Sequence, residues 1–300
     1  MRGNEFLDKM ELINPVYVEA ADVIPKKKKN SWVKWGAMAA CLCLVIMGMV
    51  LWAQTTQKLP EGGSPIISEN GVTIPPLDVS LSPDVAADML AFFIYQGRCY
   101  VQYEWIQDEN IVGEYLGTAI GLIDEWTPKE GYVELAGSVS GDFYEVKGYD
   151  STFMLCMKEP DGVVSTYICN NGITLKYGSE LYEDRLHLSG NIESVQYESN
   201  DSWYYSKGDF HQIDGVNDII LDFISDMDFA QFIPYDAVSL DQGKTSLEET
   251  GLYHLYFRLK NGTTVRLRLY ENGYVRFDGM WSLCVQVSEE TYGVLLDLLK

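Results

Sequence analysis

The sequence predicts a membrane-anchored protein with a β-rich α+β ectodomain, in which antiparallel hairpins and meanders are accompanied by a few helices. Three observations predict this fold class. One uncharged apolar segment lies near the N-terminus, short runs of β-forming residues fill most of the chain after it, and turns ending in glycine recur between those runs. Because 47% of the 300 residues are hydrophobic, we expect a substantial core.

The apolar segment has the length of a transmembrane helix. Residues 35–53 are 19 positions without charge, and as a helix they would span roughly 28 Å, close to the hydrocarbon thickness of a bilayer. Trp32 and Trp35 lie at one end and Trp52 at the other, where aromatic side chains favour the membrane interface. We therefore assign residues 32–53 to a transmembrane helix.

Basic residues are concentrated before this segment, in Lys26–Lys29 and Lys34, whereas only Lys58 follows closely. The positive-inside rule then places residues 1–31 in the cytoplasm and the C-terminal domain outside the cell. Residues 54–74 are rich in Gly, Pro and Ser, and we predict that they form a juxtamembrane linker.

Two other interpretations of the apolar segment fit less well. A cleaved signal peptide fits poorly because about 30 residues precede the segment, which is also longer than an ordinary signal core. A lipoprotein anchored at Cys41 would have only a few apolar residues before the cysteine. A transmembrane helix therefore remains the prediction.

Charge is divided unevenly along the chain, whose formal net charge is −22. Residues 1–58 hold eight basic and five acidic side chains, whereas the remaining residues hold 14 basic and 39 acidic ones. Such an acidic ectodomain repels nucleic acid and anionic lipid. We therefore exclude a nucleic-acid-binding function for it.

The predicted cytoplasmic tail is too short to bury a core of its own. It contains the pattern FLD-x-M-x-x-I-N-x-x-Y-V-E-A-A. A lysine run follows, and after it comes the motif W-x-K-W-G-A-x-A-A-C-L-C-L-V. Over residues 1–53 these motifs resemble a widespread group of single-pass membrane proteins of Gram-positive bacteria, some of which resemble anti-sigma factors. The resemblance implies a tail that acts on a cytoplasmic regulatory protein such as a sigma factor. Residues 1–31 contain no His or Cys, so they depart from the His-x3-Cys-x2-Cys site of zinc-type anti-sigma domains, which puts that form of the activity in doubt.

A loop of three residues ending in glycine recurs six times after the apolar segment. Such loops combine a type I turn with a left-handed glycine and connect antiparallel strands. The six are Glu69–Gly71, Tyr95–Gly97, Pro160–Gly162, Asn170–Gly172, Lys260–Gly262 and Glu271–Gly273.

Hydrophobic alternation fixes the register around the last two loops. Three-residue loops pair Phe257 with Val265 and Leu267 with Phe277, so that the apolar residues of three strands share one face. Two-residue loops would place the apolar sets on opposite faces. We therefore predict an antiparallel meander over residues 253–278.

Two helices are predicted beside the meander. Residues 215–229 show apolar side chains at helical spacing, with Asp214 as the N-cap, and residues 289–299 follow Ser288 as the N-cap.

The predicted ectodomain has two parts. Residues 75–190 contain almost only β-type runs, whereas residues 191–300 combine the meander with both helices and indicate an α+β subdomain.

Four cysteines lie in the predicted extracellular part. In the hairpin closed at residues 160–162, Cys156 pairs with Thr166 and Cys169 with Phe153, so the two thiols lie too far apart for a bridge. We expect buried free thiols rather than disulfides at Cys99, Cys156, Cys169 and Cys284.

No motif identifies catalytic or metal-binding chemistry. The three histidines lack a second ligand at metal-binding spacing, and Gly137–Gly141 lacks the central serine of a nucleophile elbow. Paired carboxylates occur at residues 124–125 and 183–184, but among so many acids they indicate solvated charge. We therefore predict no catalytic residue, no cofactor and no metal site.

Arginine is concentrated on the outer face of the predicted meander. Four of the seven arginines lie there, opposite the apolar face, with Arg268 directly across from Arg276. Like charges in that position destabilise a sheet, so the cluster requires carboxylates of the protein itself, a bound anion or a partner's carboxylates. The predicted anion or partner face consists of Arg258, Arg266, Arg268 and Arg276.

These observations favour a non-catalytic, membrane-anchored envelope protein that senses or binds a component outside the cell. It would signal through its short cytoplasmic tail in an anti-sigma-like manner. The alternative is an extracytoplasmic cell-envelope enzyme such as a hydrolase, which would need a cleft with converging carboxylates or a Ser/His pair. A purely structural surface protein is the third interpretation, and a tail without a partner would favour it.

The predicted topology is testable on intact cells. We expect added protease to remove the ectodomain and to spare a tag fused at Met1, because Lys26–Lys29 hold the N-terminus inside. Immunoblots report the tag, and permeabilised cells are the control in which it is cleaved. Protection of the ectodomain in intact cells would contradict this orientation.

Overall fold

The computed structural model describes residues 64–76, 90–124, 127, 131–159, 161–240 and 244–300. The predicted cytoplasmic tail, the transmembrane helix and residues 54–63 of the predicted linker lie outside these ranges. Within them, no helix is long and apolar enough to cross a membrane. All described residues belong to the compact unit that spans Thr55–Lys300.

A short hairpin comes first. Strands β1 (Ile66–Ser68) and β2 (Gly71–Ile74) pair in antiparallel orientation. The prediction of a linker is therefore wrong for residues 66–74. Val72 and Ile74 are buried in the main core, but this brief apolar alternation is difficult to recognise among the surrounding Gly, Pro and Ser.

Seven strands between residues 92 and 169 close a barrel. They are β3 (Phe92–Tyr95), β4 (Arg98–Ile106), β5 (Val112–Gly121), β6 (Ala136–Gly137), β7 (Gly141–Val146), β8 (Met154–Lys158) and β9 (Val164–Cys169). Their order around the barrel is β3-β4-β9-β8-β7-β5-β6, and only the β5–β6 pair is parallel. Phe93 meets Tyr100, Phe143 and Tyr167 from three other strands, with ring centroids 4.8–5.5 Å apart. Aromatic rings therefore fill the barrel interior.

The chain then leaves the barrel and builds a second, seven-stranded antiparallel sheet. First, β10 (Ile173–Leu175) pairs with β2. The strands of the sheet are β11 (Ile192–Ser199), β12 (His211–Ile213), β13 (Phe232–Pro234), β14 (Gly251–Leu259), β15 (Thr264–Tyr270), β16 (Tyr274–Phe277) and β17 (Leu283–Gln286). They lie in the order β12-β11-β14-β15-β16-β17-β13.

Four α-helices accompany the strands in the described ranges. They are α1 (Ser179–Tyr182), α2 (Asn200–Tyr204), α3 (Asp218–Phe229) and α4 (Glu289–Leu298). Helices α3 and α4 contact each other, and Phe223 of α3 is buried in the same cluster as Phe257 and Leu267 of the sheet and Met154 of the barrel. One core therefore joins helices, sheet and barrel, in the β-rich α+β arrangement that the sequence predicts.

The predicted register of the meander is confirmed. Phe257 lies opposite Val265, and Leu267 lies opposite Phe277. All four side chains are buried. The apolar residues of three strands therefore share the face that packs in the main core.

Three of the six predicted loops have the predicted length of three residues. The full form is confirmed at residues 260–262, where Gly262 is left-handed and Asn261 is not. At residues 271–273 the length is confirmed, but Asn272 has a φ of +60°, which a type I turn does not allow. The pairing of Glu159 with Val163 gives the predicted length at 160–162, of which Pro160 lies outside the described residues. The prediction is wrong at residues 69–71, 95–97 and 170–172. Gln96 and Gly97 instead form a two-residue turn, in which both have positive φ as a type I′ turn requires. A glycine at the end of the loop suits either loop length, so composition alone does not distinguish them.

The predicted start of α3 is wrong, and that of α4 is confirmed. Asn217, not Asp214, caps α3, and its side chain accepts the backbone N–H of Ile220 at 3.1 Å. Gly215 has a φ of +66° and turns the chain before the helix begins. Ser288 caps α4 by accepting a backbone N–H of the first turn.

The four cysteines of the described ranges are free and buried. Cys156 lies opposite Thr166, and the Cys169 amide donates to the Phe153 carbonyl at 2.8 Å, which is the predicted register. Burial raises the pKa of Cys156 and of Cys284 to about 12. These thiols therefore stay protonated at neutral pH, where a thiol is a poor nucleophile.

The two meander loops provide a stability test. Gly262 and Gly273 adopt left-handed conformations, with φ of +89° and +77°. A Cβ on Gly273 would also lie 2.7 Å from the Val287 carbonyl oxygen, whereas one on Gly262 meets nothing closer than 3.7 Å. We therefore expect Gly262→Ala to lower the free energy of unfolding by about 1–2 kcal/mol, and Gly273→Ala to lower it further. Urea unfolding measures both changes.

Gly293→Ala is the matched control. Gly293 lies inside α4, and no neighbouring atom lies within 4 Å of an added Cβ. Alanine should stabilise the protein there by about 0.5–1 kcal/mol, because glycine is a poor helix former. Unchanged unfolding of both loop variants would contradict the left-handed conformations of Gly262 and Gly273.

Candidate functional site

The four predicted arginines share one face of the seven-stranded sheet. Side chains alternate along a strand, so Arg266 and Arg268 project from the same face of β15. Arg276 of β16 lies directly opposite Arg268, as predicted. Arg258 of β14 lies opposite Thr264 and projects from the same face.

This face is largely covered, which corrects the prediction of an outer face. Arg268 and Arg276 retain only 7% and 8% of their surface exposed. Arg266 is half-buried, and only Arg258 is exposed. Residues of α2, of the 3-10 turn Leu247–Thr250 and of barrel strand β4 contact the buried arginines.

One carboxylate compensates the two opposed arginines. Glu248 forms an ion pair with Arg268 through Oε2, and one with Arg276 through Oε1 at 2.6 Å. Burial by itself raises the pKa of Glu248, but Arg276, the Tyr235 hydroxyl and Arg268 outweigh this effect and hold that pKa below its ordinary value. The protein itself therefore supplies part of the negative charge that the opposed arginines require.

An aromatic ring lies against each buried guanidinium group. Such rings attract the cation, fix its orientation and exclude water, which strengthens its other electrostatic interactions. The guanidinium carbon lies 4.4–4.9 Å from a ring centroid in three pairs, Arg266 with Tyr103, Arg268 with Trp203 and Arg276 with Tyr235.

A pocket of about 300 Å³ opens between this face and the barrel. We call it the arginine pocket, because three of the four predicted arginines, all except Arg258, line it. Tyr103 of β4 and Ile168 of β9 lie on its barrel side, and Trp203 and Trp281 also line it. The structure therefore brings together residues from both halves of the fold.

Gly279 lets the loop after β16 approach the barrel at this pocket. A Cβ at this position would lie 2.5 Å from a ring carbon of Phe277 and 3.0 Å from Cδ1 of Ile168. A side chain there would therefore clash with the Phe277 ring and crowd Ile168 of the barrel.

The protein leaves most guanidinium donors of the arginine pocket without an acceptor. Each guanidinium carries five N–H donors. Among the described residues, protein acceptors are recorded for one donor of Arg266, one of Arg276 and two of Arg268. These acceptors are the Tyr103 carbonyl, the Glu248 carboxylate and the Asn200 side chain. In the described part of the chain, the Nε–H of each of the three arginines is buried without an acceptor.

Two carboxylates beside the arginines have raised pKa values. Burial raises the pKa of Asp278, although the three arginines of the pocket act in the opposite direction. Burial also raises the pKa of Glu104 to about 7, despite its hydrogen bond from the Thr264 amide and the nearby Arg266. Because both groups hold protons more readily than ordinary carboxylates, the positive charge of the pocket is compensated less as the pH falls.

His254 is buried beside the pocket arginines. It lies opposite Arg268 on the neighbouring strand, and its ring stacks on Trp203 with centroids 4.5 Å apart. Burial and, to a smaller extent, the nearby Arg268 and Arg276 lower the pKa of His254 to about 3. The ring is therefore neutral at physiological pH.

Sequence reasoning did not single out Trp203, Trp281, Glu248 or Asp278. The only signal for Glu248 was the requirement that opposed arginines have a carboxylate nearby, which 39 acids satisfy equally well. In the described ranges, no group of three His, Cys, Asp or Glu side chains lies in position to hold a metal ion.

No protein-family model matches the chain, and comparisons with curated proteins and with solved structures gave no match either. Functional inference therefore depends on the chemistry of the arginine pocket.

The ion-paired Glu248 should contribute to stability in a pH-dependent way. Glu248→Gln leaves Arg268 and Arg276 opposed without a neutralising charge, so we expect the free energy of unfolding to fall by about 1–3 kcal/mol at pH 7, after allowing for partial exposure. Because the folded pKa of Glu248 is lowered, its contribution is complete above the ordinary value of 4.5 and is lost as the pH falls through the folded value. The difference between variant and wild type should therefore shrink at pH 3, as urea unfolding at both pH values would show.

Glu249→Gln is the matched control, since Glu249 is adjacent and exposed and its carboxylate accepts hydrogen bonds only from Thr245 among the described residues. It should have little effect at either pH. Equal destabilisation by the two variants would mean that the bridge to the arginines contributes nothing.

Proposed function

We propose that this chain is a non-catalytic, membrane-anchored protein of the cell envelope whose extracellular domain binds an anionic ligand in the arginine pocket. The observation that carries the proposal is the donor inventory of the pocket. Three guanidinium groups line it, and most of their N–H donors have no acceptor among the described residues. A carboxylate or phosphate group supplies the acceptors that this arrangement lacks.

The geometry of guanidinium favours oxyanions in particular. Its planar fork of donors matches the paired oxygens of carboxylates and phosphates, and it remains charged at any physiological pH. The rings packed on Arg266, Arg268 and Arg276 hold these forks in place. Because the sites are largely withdrawn from water, contacts with an anion are stronger than at the open surface.

The residues that line the pocket favour binding over hydrolysis. Asp278 is the one carboxylate among the described lining residues, and these include no Ser, Thr, His, Cys or Lys. The hydroxyl of the lining Tyr103 is already bonded to the Thr264 carbonyl and the Arg266 amide. Hydrolysis by general acid and base requires two such groups, or a nucleophile with its base. The composition of the pocket therefore supports a binding role more than the alternative of a cell-envelope hydrolase.

The second part of the proposal concerns the N-terminal tail. The motifs of residues 1–53 resemble those of Gram-positive single-pass proteins, and the lysines before the apolar segment favour a cytoplasmic N-terminus. We expect the tail to contact a cytoplasmic regulatory protein in an anti-sigma-like manner. Occupancy of the extracellular pocket would then be reported inside the cell.

Retention on isolated Gram-positive cell wall tests the binding function. Full-length protein in detergent is mixed with the wall and pelleted, and the bound fraction is measured. Arg266→Gln should weaken retention by roughly tenfold, the loss expected for a charge-assisted hydrogen bond. Arg266 is the preferred position, because removing Arg268 or Arg276 would also break an ion pair with Glu248.

Arg258→Gln is the control for charge. It removes the same charge from the same face but lies outside the pocket, so retention should be unchanged. Thermal unfolding of both variants confirms that they are folded at the assay temperature. Equal retention of folded Arg266→Gln and wild-type protein would contradict binding in this pocket.

A further inference from the structure

Two exposed tryptophans line the arginine pocket. Trp203 and Trp281 retain 43% and 45% of their surface exposed. The Trp203 ring already packs against His254 and Arg268, so Trp281 is the indole that a ligand can cover, and covering its apolar surface is favourable. A small inorganic anion has no apolar surface to offer, so it leaves this feature unused.

Further exposed rings follow Trp203 in the chain. They are those of Tyr204, Tyr205 and Phe210, and the Tyr204 and Tyr205 rings pack edge to face with centroids 5.0 Å apart.

Uncharged and acidic hydrogen-bonding groups lie among the arginines. Gln102 and Asn170 line the pocket, and neither side-chain amide forms a hydrogen bond with another described residue. The Asp278 carboxylate lines it as well. Amides and a carboxylate are suitable partners for hydroxyl groups, since together they donate and accept.

The size of the pocket suits one ring with a substituent. Its volume of about 300 Å³ lies at the lower end of the range for small-ligand sites, which is about 300–1,000 Å³. Ile168 and Val101 add apolar wall on the barrel side.

We infer that the ligand is an acidic sugar, namely a pyranose ring that carries a carboxylate or a phosphate group and belongs to an extracellular polysaccharide. This inference rests on the proposed anion-binding function. The acidic group binds the guanidinium groups, the hydroxyls bind Gln102, Asn170 and Asp278, and the C–H face of the ring packs on Trp281.

Simpler ligands satisfy only part of this site. Inorganic phosphate would use the arginines and leave the indole and the amides without contacts. An aromatic acid would use the arginines and the indole, but it would leave the hydroxyl partners unpaired, which is unfavourable once they are buried by the ligand. A neutral sugar would leave the guanidinium donors without an anion.

Calorimetry on the full-length protein in detergent separates these classes with five probes, which are glucuronate, glucose 6-phosphate, glucose, inorganic phosphate and benzoate. We expect glucuronate or glucose 6-phosphate to bind at least roughly tenfold more tightly than the last three. The carboxylate and phosphate arms show which acidic group the site prefers.

Trp281→Ala should weaken the binding of the acidic sugars by roughly tenfold and leave the binding of inorganic phosphate unchanged, because only a ring can pack on the indole. Trp105→Ala is the matched control. Trp105 is 68% exposed but lies on the barrel outside the arginine pocket, so its removal should change nothing.

The outcomes separate this inference from the proposed function. Phosphate or benzoate binding as tightly as the acidic sugars, or no effect of Trp281→Ala on them, would overturn the sugar assignment while anion binding stands. No binding of either acidic sugar at millimolar concentration would overturn it too, and the cell-wall assay with Arg266→Gln then decides the proposed function independently.

Discussion

The ion bridge of Glu248 between Arg268 and Arg276 is the interaction on which the site depends. Two guanidinium groups directly opposite each other on neighbouring strands repel one another. One carboxylate oxygen for each arginine offsets that repulsion and holds the 3-10 turn against the sheet. A single carboxylate cannot satisfy all the donors of two guanidinium groups, however, and the Nε–H of each arginine stays without an acceptor among the described residues. The same interaction therefore stabilises the sheet and leaves guanidinium donors of the pocket available to an anion.

The two faces of the seven-stranded sheet have different roles, one in stability and the other in the proposed binding. One face buries Phe257, Leu267 and their neighbours in the main core, where the free energy comes from apolar area removed from water. The other face carries the arginines and meets β4 of the barrel. Because alternate residues of β15 serve opposite faces, a register shift of one residue would place the arginines in the core. Hydrophobic burial on one face thus fixes the geometry of the charged site on the other.

Local patterns in the sequence predict this register, but they do not predict the pocket. The meander follows from the loops at residues 260–262 and 271–273 together with apolar alternation, both of which are local. By contrast, the pocket needs Tyr103 and Trp203, which meet the arginines only after distant strands have docked. Barrel closure likewise depends on the parallel β5–β6 pair, which no turn specifies. At Gln96 and Gly97, the residue types fit a loop of two residues as well as one of three, so the pattern alone predicted the wrong length.

The arginine pocket lies where barrel and sheet are joined, and the same residues line the pocket and connect the barrel to the sheet. The Tyr103 hydroxyl donates to the Thr264 carbonyl at 2.7 Å and accepts the Arg266 amide at 3.0 Å. Arg266 in turn donates to the Tyr103 carbonyl at 2.6 Å. A ligand in this pocket contacts both halves, so its binding free energy adds to that of the junction. Any arrangement of barrel and sheet that disturbs Tyr103 and Arg266 must also weaken the binding of the ligand. By linkage, the bound ligand makes that arrangement less favourable. An anion bound here would therefore be coupled to the joint between the two halves, which is the coupling that the proposed sensing function requires.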